Sequence, residues 1–116
     1  MLKVKINMHE WTIQGISKEE LNNKYIESHE GEFGKGLYAF GLCEFKSRII
    51  YINEELEKHQ LISTLKHELT HAYLWSVGMQ YDKFEEEDIA NIVSASNDII
   101  NEIVSLYLEK ESDTDA

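Results

Sequence analysis

Residues 61–78, LISTLKHELTHAYLWSVG, carry a strong helical pattern within this 116-residue chain. Apolar residues recur there at the spacing of one helix face, which predicts an amphipathic helix packed on the core. The positions are Leu61, Ile62, Leu65, Leu69 and Ala72. Gly78 follows them, and glycine often occupies the position just after a helix. We therefore predict a core helix that ends close to Gly78.

Three segments on the N-terminal side of this helix predict a small sheet. LKVKIN (2–7) alternates apolar and polar residues, which is typical of a half-buried strand. LYAFGLCEF (37–45) and RIIYIN (48–53) are rich in aromatic and β-branched residues, and Lys46-Ser47 lies between them. This arrangement predicts an antiparallel hairpin.

Two further helices are predicted, one before the hairpin and one at the C-terminal end. Ser17 and Glu20 have the spacing of a capping box, for a helix that runs to about Ser28. The last helix carries an apolar stripe that we expect to face the core. Its members are Ile89, Ile92, Val93, Ile99, Ile100, Ile103 and Tyr107. The predicted fold class is α+β, a small antiparallel sheet packed with three helices.

Length and composition limit the class of protein. Hydrophobic residues make up 42% and charged residues 28% of the chain, as in ordinary globular proteins. We predict a single domain over residues 1–110, followed by an acidic, disordered tail over 111–116, ESDTDA. No apolar run has the length of a membrane span or the form of a signal peptide, so a cytoplasmic location is expected.

The charge balance and the cysteine count exclude several kinds of site. The chain has 22 acidic and 11 basic residues and a net charge of −11. Nucleic-acid binding needs clustered lysine and arginine, so direct binding of DNA or RNA and adhesion to an anionic membrane are not expected. Cys43 is the single cysteine, which excludes an internal disulfide and a CxxC metal site. Ligands for a metal must therefore come mainly from His, Asp and Glu.

His67, Glu68 and His71 lie inside the patterned helix and have the spacing of a zinc site. Positions four apart differ by about 40° around a helix, so the two histidines project from one face and can occupy two corners of a tetrahedral Zn²⁺. Glu68 lies about 60° from His71, where it can flank the metal without ligating it and accept a proton from water. The spacing predicts a zinc site with a carboxylate base.

Zinc in such a site needs a third protein ligand, with the fourth position left to water. FEEEDIANIV (84–93) opens the last helix with four carboxylates. Glu87 and Asn91 form an i, i+4 pair, in which the carboxylate can bind metal and the amide can hold a histidine N–H. The residues alone leave several ligands open, namely Glu85, Glu86, Glu87 and Asp88.

His67-Glu68-Leu69-Thr70-His71, followed by Glu87-Asp88-Ile89-Ala90-Asn91, resembles the zincin metallopeptidases whose third ligand is a glutamate. The chain looks most like the small ImmA/IrrE-type proteins of bacterial phages and mobile elements, over roughly residues 36 to 100. The resemblance implies a minimal zincin-like fold and Zn²⁺ held by His67, His71 and Glu87. It also implies that Glu68 is the general base.

Two functions follow from the pattern and the resemblance. The first is a zinc-dependent metallopeptidase that hydrolyses a protein or peptide substrate, such as a regulatory or repressor protein. Its substrate would add as a strand along LYAFGLC (37–43), where Gly41 would let a peptide approach closely. The alternative is a non-catalytic zinc-binding module that acts by protein–protein binding, as an antirepressor. Candidate donors to a reaction oxyanion are His9, His29, Tyr73 and Tyr81.

Overall fold

The structure is a computed structural model that describes residues 1–29, 40–79 and 83–115, except for the side chains of 28, 29 and 111–115. The described residues form seven elements. In chain order these are β1 (Leu2–Ile6), β2 (His9–Ile16), α1 (Lys18–His29), β3 (Gly41–Glu44), β4 (Ile49–Asn53), α2 (Lys58–Ser76) and α3 (Glu86–Asp115). The α+β class is confirmed, with three helices packed on a four-stranded sheet.

The sheet is mixed rather than antiparallel throughout, which corrects the predicted antiparallel sheet. Its strand order is β1-β2-β4-β3. The β1–β2 and β3–β4 pairs are antiparallel, and the latter confirms the predicted hairpin. Strands β2 and β4 are parallel. The connection between β2 and β4 contains α1, and a long connection of this kind lets the chain return in the same direction.

The sequence pattern missed β2, although β2 lies between two other strands of the sheet. Its buried residues are Trp11, Ile13 and Ile16, of which the first two have the alternation of a strand. Asn7 and Met8 join β1 to β2, and both have positive φ, as both central residues of a type I′ turn do. Met8 is not a residue typical of such a turn, so the sequence carries a weak hairpin signal there.

The predicted ends of two helices are confirmed by hydrogen bonds. The Glu20 N–H donates to Ser17 Oγ (3.2 Å) at the start of α1. At the end of α2, Gly78 has a φ of 75°, and the Met79 N–H donates to the Leu74 carbonyl (2.8 Å). The Gly78 N–H donates to the Trp75 carbonyl, which completes a Schellman motif. Helix α2 therefore ends in a defined cap at Gly78.

The main core lies between one face of the sheet and helices α2 and α3, and a smaller cluster lies under α1 on the other face. The residues that α2 buries in the main core are Leu61, Leu65, Leu69 and Ala72, as predicted. Those that α3 buries are Ile100, Ile103, Val104 and Tyr107. The expectation that Ile89 and Val93 face the core is wrong, because their side chains are 51% and 58% exposed.

Helix α3 continues through residue 115, so the backbone of the predicted acidic tail (111–116) is helical as far as the structure describes it. Residue 116 lies outside the described residues, as do positions 37–39 of the predicted strand. No helix in the described part of the chain combines the length and the apolar character needed to cross a membrane.

Candidate functional site

A groove of about 520 Å³ lies between α2 and the edge strand β3, and it contains His67, Glu68 and His71. The remaining lining residues are Tyr25, Phe40, Gly41, Leu42, Cys43, Phe45, Gln60, Ser63 and Thr64. One face of α2 supplies the polar side chains, because positions three and four apart in a helix share a face. The structure thus brings together three of the four site residues that the sequence analysis selected.

The two histidines have a geometry that suits a shared metal ion. Their Nε2 atoms lie 3.2 Å apart, and their rings meet edge to face. Two nitrogens bound to one tetrahedral zinc at its usual bond length would lie about 3.3 Å apart. Burial, and secondarily the neighbouring His67, lower the pKa of His71 and favour the neutral form that binds metal. The donor chemistry and spacing of the pair therefore fit zinc.

Glu68 lies deeper than the histidines. Its side chain is buried, with 7% of its surface exposed, and this desolvation raises the pKa of its carboxyl to about 7. A carboxylate with a pKa near neutrality can both accept and return a proton at physiological pH. Burial also raises the pKa of the Cys43 thiol, with a smaller contribution from Glu68, so this cysteine remains an un-ionised thiol.

Gly41 serves a different purpose from the predicted one. A Cβ at this position would lie 2.9 Å from Thr64 Cγ2 and 3.0 Å from Glu68 Cγ. Contacts this short are closer than normal packing allows, so the missing side chain makes room for α2 rather than for a bound peptide. Gly41 therefore sets how closely β3 approaches the helix that carries Glu68.

The backbone of β3 has groups that point away from β4, its strand partner in the described part of the chain. The Asn53 N–H donates to the Phe40 carbonyl (3.0 Å), so Phe40 lies in a hydrogen-bonded pair with β4. Such pairs alternate along an antiparallel ladder with residues whose backbone groups point away from the partner strand. Leu42 therefore faces β4, whereas the N–H and C=O of Gly41 and Cys43 face the free edge of the described sheet.

The predicted third metal ligand is not beside the histidines. No three His, Cys, Asp or Glu side chains among the described residues are grouped so that they could hold a metal ion. Glu87 is exposed in the first turn of α3. At 100° per residue it projects about 160° from Ile89, on the side of the helix opposite the apolar stripe. Among the described residues, the metal donors that lie together are therefore the two histidines, His67 and His71.

The alternative carboxylates in the same turn have different surroundings. Glu85 and Glu86 are exposed, like Glu87. Asp88 is engaged at the helix start, where its Oδ2 accepts the Glu85 N–H (3.1 Å) in the manner of a capping box. Because this cap uses Oδ2 alone, Asp88 would bind a metal through Oδ1 if it kept the cap.

His9 and Tyr73, the two candidate oxyanion donors whose side chains the structure describes, do not line the groove. The His9 ring packs on Trp75, and Tyr73 packs against the main core. Tyr81 and the side chain of His29 lie outside the described residues. The sequence analysis missed Tyr25, a phenol that does line the groove, because no motif connects α1 with α2.

Comparisons with protein-family models, with curated proteins and with solved structures find no match for this chain. The case for a function therefore rests on the residues of the groove and their chemistry.

Proposed function

We infer that this protein is a zinc-dependent metallopeptidase of minimal zincin-like fold. The observation that carries this proposal is the convergence of His67, Glu68 and His71 on a groove beside β3, the edge strand of the sheet that the structure describes. The 3.2 Å separation of the two Nε2 atoms and the raised pKa of Glu68 support it. The resemblance of the same residues to the ImmA/IrrE-type zincins points in the same direction.

In this proposal His67 and His71 would hold the metal, since their Nε2 atoms lie 3.2 Å apart. Bound zinc would polarise a peptide carbonyl and lower the pKa of a bound water towards about 7. Glu68 accepts the proton of the attacking water and passes it to the leaving amine. Burial raises the pKa of this carboxyl in the metal-free chain, which favours uptake of a proton by Glu68.

The substrate in this proposal is an extended peptide, for example a segment of a regulatory protein in the cytoplasm. Its backbone would bond to the outward N–H and C=O groups of Gly41 and Cys43. That pairing places the peptide along the outer edge of β3, beside the groove that contains the histidines. Main-chain hydrogen bonds supply affinity, and the groove walls supply specificity.

Glu87 remains our proposed third ligand, with Glu85, Glu86 and Asp88 as alternatives. Its participation requires the first turns of α3 to move towards α2, because Glu87 is exposed and does not line the groove. The exposed stripe residues Ile89 and Val93 support such a movement, since few packing contacts would be lost.

Metal content is the direct test. We expect about one zinc per chain, by elemental analysis of protein purified without a histidine tag and incubated with Zn²⁺ at neutral pH. His71→Ala should lose this zinc. His59→Ala is the matched control, because His59 is an exposed histidine of α2 that does not line the groove. Wild-type protein that retains no zinc would exclude the metallopeptidase.

The alternative function is a zinc-binding module that acts by protein–protein binding without hydrolysis, and it would use the same two histidines. Glu68→Gln separates the two functions, because it removes the proton acceptor and leaves both histidines in place. Loss of peptide cleavage with zinc retained supports the peptidase, whereas unchanged biological activity of the variant supports the binding module.

A further inference from the structure

The groove lining also includes residues on the α1 side of β3, the edge strand of the described sheet, and this part of the lining is apolar. Tyr25, Phe40 and Leu42 form this part, which we call the apolar wall. Leu42 belongs to the small core cluster under α1, and Tyr25 packs against that cluster. Phe40 is 48% exposed. The wall is therefore a supported surface with an aromatic ring left open to a ligand.

A second cavity, of about 260 Å³, lies on the same side of the sheet. It is lined by Lys24, Glu27, Glu44 and Tyr51. Glu44 is two residues beyond Leu42, and alternate residues of a strand share a face. The Lys24 ammonium lies over the Tyr51 ring, 4.7 Å from its centroid. Two carboxylates against one ammonium leave this cavity negatively charged, in a chain whose net charge is −11.

We propose that the groove selects an extended peptide with a bulky apolar side chain opposite Leu42 and a lysine or arginine two residues away, opposite Glu44. The inference rests on the proposed function for the placement of the peptide along β3, and it adds the class of substrate. Side chains of paired strands lie on the same face when they are opposite each other. The two-residue spacing therefore holds for either direction of the peptide.

Charge complementarity argues for a basic partner at the second position. A cationic side chain opposite Glu44 would meet the carboxylates of Glu44 and Glu27. An acidic side chain there would be repelled by the same carboxylates and by the net charge of the chain. An apolar side chain at the first position removes the ring of Phe40 from water. Both features favour the same peptide.

The test measures binding and cleavage separately. Fluorescein-labelled eight-residue peptides carry leucine and lysine two residues apart, with the flanking positions randomised. Affinity is measured by fluorescence anisotropy on Glu68→Gln protein, with and without added Zn²⁺. We expect leucine-to-serine and lysine-to-glutamate replacements in the peptide each to weaken binding about tenfold. Leucine and lysine placed three residues apart should also bind about tenfold more weakly.

Protein variants test which groove residue contacts the apolar side chain of the peptide and which contacts its basic side chain. Phe40→Ala should weaken the leucine peptide about tenfold and leave the serine peptide unchanged. Ile26→Ala is the matched control, because Ile26 is 45% exposed on α1 and does not line either cavity. Glu44→Gln should reduce the preference for lysine over glutamate. Equal binding of all peptides, or equal loss for all peptides in Phe40→Ala, would overturn the inference.

The two proposals fail in different ways. Cleavage by the wild-type protein with no preference at these two positions leaves the peptidase standing and overturns the apolar–basic specificity. Selective binding by Glu68→Gln protein, with no cleavage by the wild type, supports the specificity and overturns the peptidase.

Discussion

Glu68 is the one charged side chain among the buried residues that the structure describes. The other buried polar side chains are Asn53, Thr64 and Ser96, which are neutral. A carboxylate in such a position costs stability when it ionises, because it loses its hydration. Its place beside two histidines whose Nε2 atoms nearly touch suggests that this cost is tolerated for chemistry rather than for folding.

The burial of Glu68 predicts a pH-dependent stability of the metal-free protein. Its pKa is about 7 in the folded chain, against 4.5 when exposed. Between these values the folded state binds a proton that the unfolded state does not, so stability falls as pH rises from about 4.5 through 7. The loss is about 2–3 kcal/mol.

Glu68→Gln provides the measurement, because it removes this titration. Urea unfolding in EDTA at pH 5 and pH 8 should show wild type losing stability relative to the variant at the higher pH. His71 acts in the opposite direction, since its lowered pKa costs stability as pH falls below 6.5, but both proteins contain it. A difference between the two proteins that does not change with pH would show that Glu68 has a normal pKa.

Gly41→Ala should disturb the site as well as the fold. Its Cβ would meet Thr64 Cγ2 and Glu68 Cγ at about 3 Å, so α2 must shift away from β3. Overpacking of this kind costs about 1–3 kcal/mol, and a displaced base should lower peptide cleavage about tenfold or more.

Gly78→Ala is the control for a simple loss of stability. Its positive φ makes alanine strained by about 1 kcal/mol, and among the described residues no atom beyond its two chain neighbours lies within 4 Å of the new Cβ. Thermal unfolding and cleavage rates are measured on both variants. Gly41→Ala protein that cleaves like Gly78→Ala protein would mean that the contact of β3 with Glu68 does not position the base.

At the scale of elements, α3 has two halves with different roles. Its apolar stripe is buried at Ile100 and Ile103 and exposed at Ile89 and Val93. The first turns of α3 therefore contribute little to the core, although their sequence continues the same stripe.

A comparison of substitutions along α3 tests this division. Ile103→Ala should lower the free energy of unfolding by about 2–4 kcal/mol, because it leaves a cavity in the main core. Ile89→Ser and Val93→Ser should change it by less than about 0.5 kcal/mol, as surface substitutions do. Urea unfolding of the metal-free proteins measures all three. A large loss in Ile89→Ser would show that the first turns pack on the body in solution.

The same helix shows which parts of the fold were open to prediction. Helical periodicity identified the buried face of α2, and glycine and serine identified helix ends at Gly78 and Ser17. Periodicity could not show that the first turns of α3 extend beyond the elements that bury the rest of the helix. Burial depends on where those other elements lie, which the sequence of α3 does not contain. Strand β2 was missed because Asn7-Met8 carries a weak turn signal, despite two positive φ angles.

The part of the candidate site that lies within one helix could be predicted from the sequence. The part that is formed by distant segments of the chain could not. The spacing of His67 and His71 on one helix is sufficient to place both in one groove. The wall formed by Tyr25 and Phe40 comes from distant parts of the chain, and its members meet because the sheet topology brings α1 and α2 to either side of β3. No local sequence motif predicts that Tyr25 and Phe40 line the same groove.

At the scale of the whole molecule, metal binding and stability should be linked. Zinc that binds the folded chain at 100 times its Kd adds about 2.7 kcal/mol, or about 10 °C in Tm. His71→Ala should abolish the shift, and Glu87→Gln should reduce it if α3 supplies the third ligand. Glu102→Gln, an exposed carboxylate further along α3, should behave as wild type. Differential scanning calorimetry with EDTA or Zn²⁺ measures these shifts. An undiminished shift in Glu87→Gln would assign the third ligand to another residue, because removal of a ligating carboxylate must weaken zinc binding.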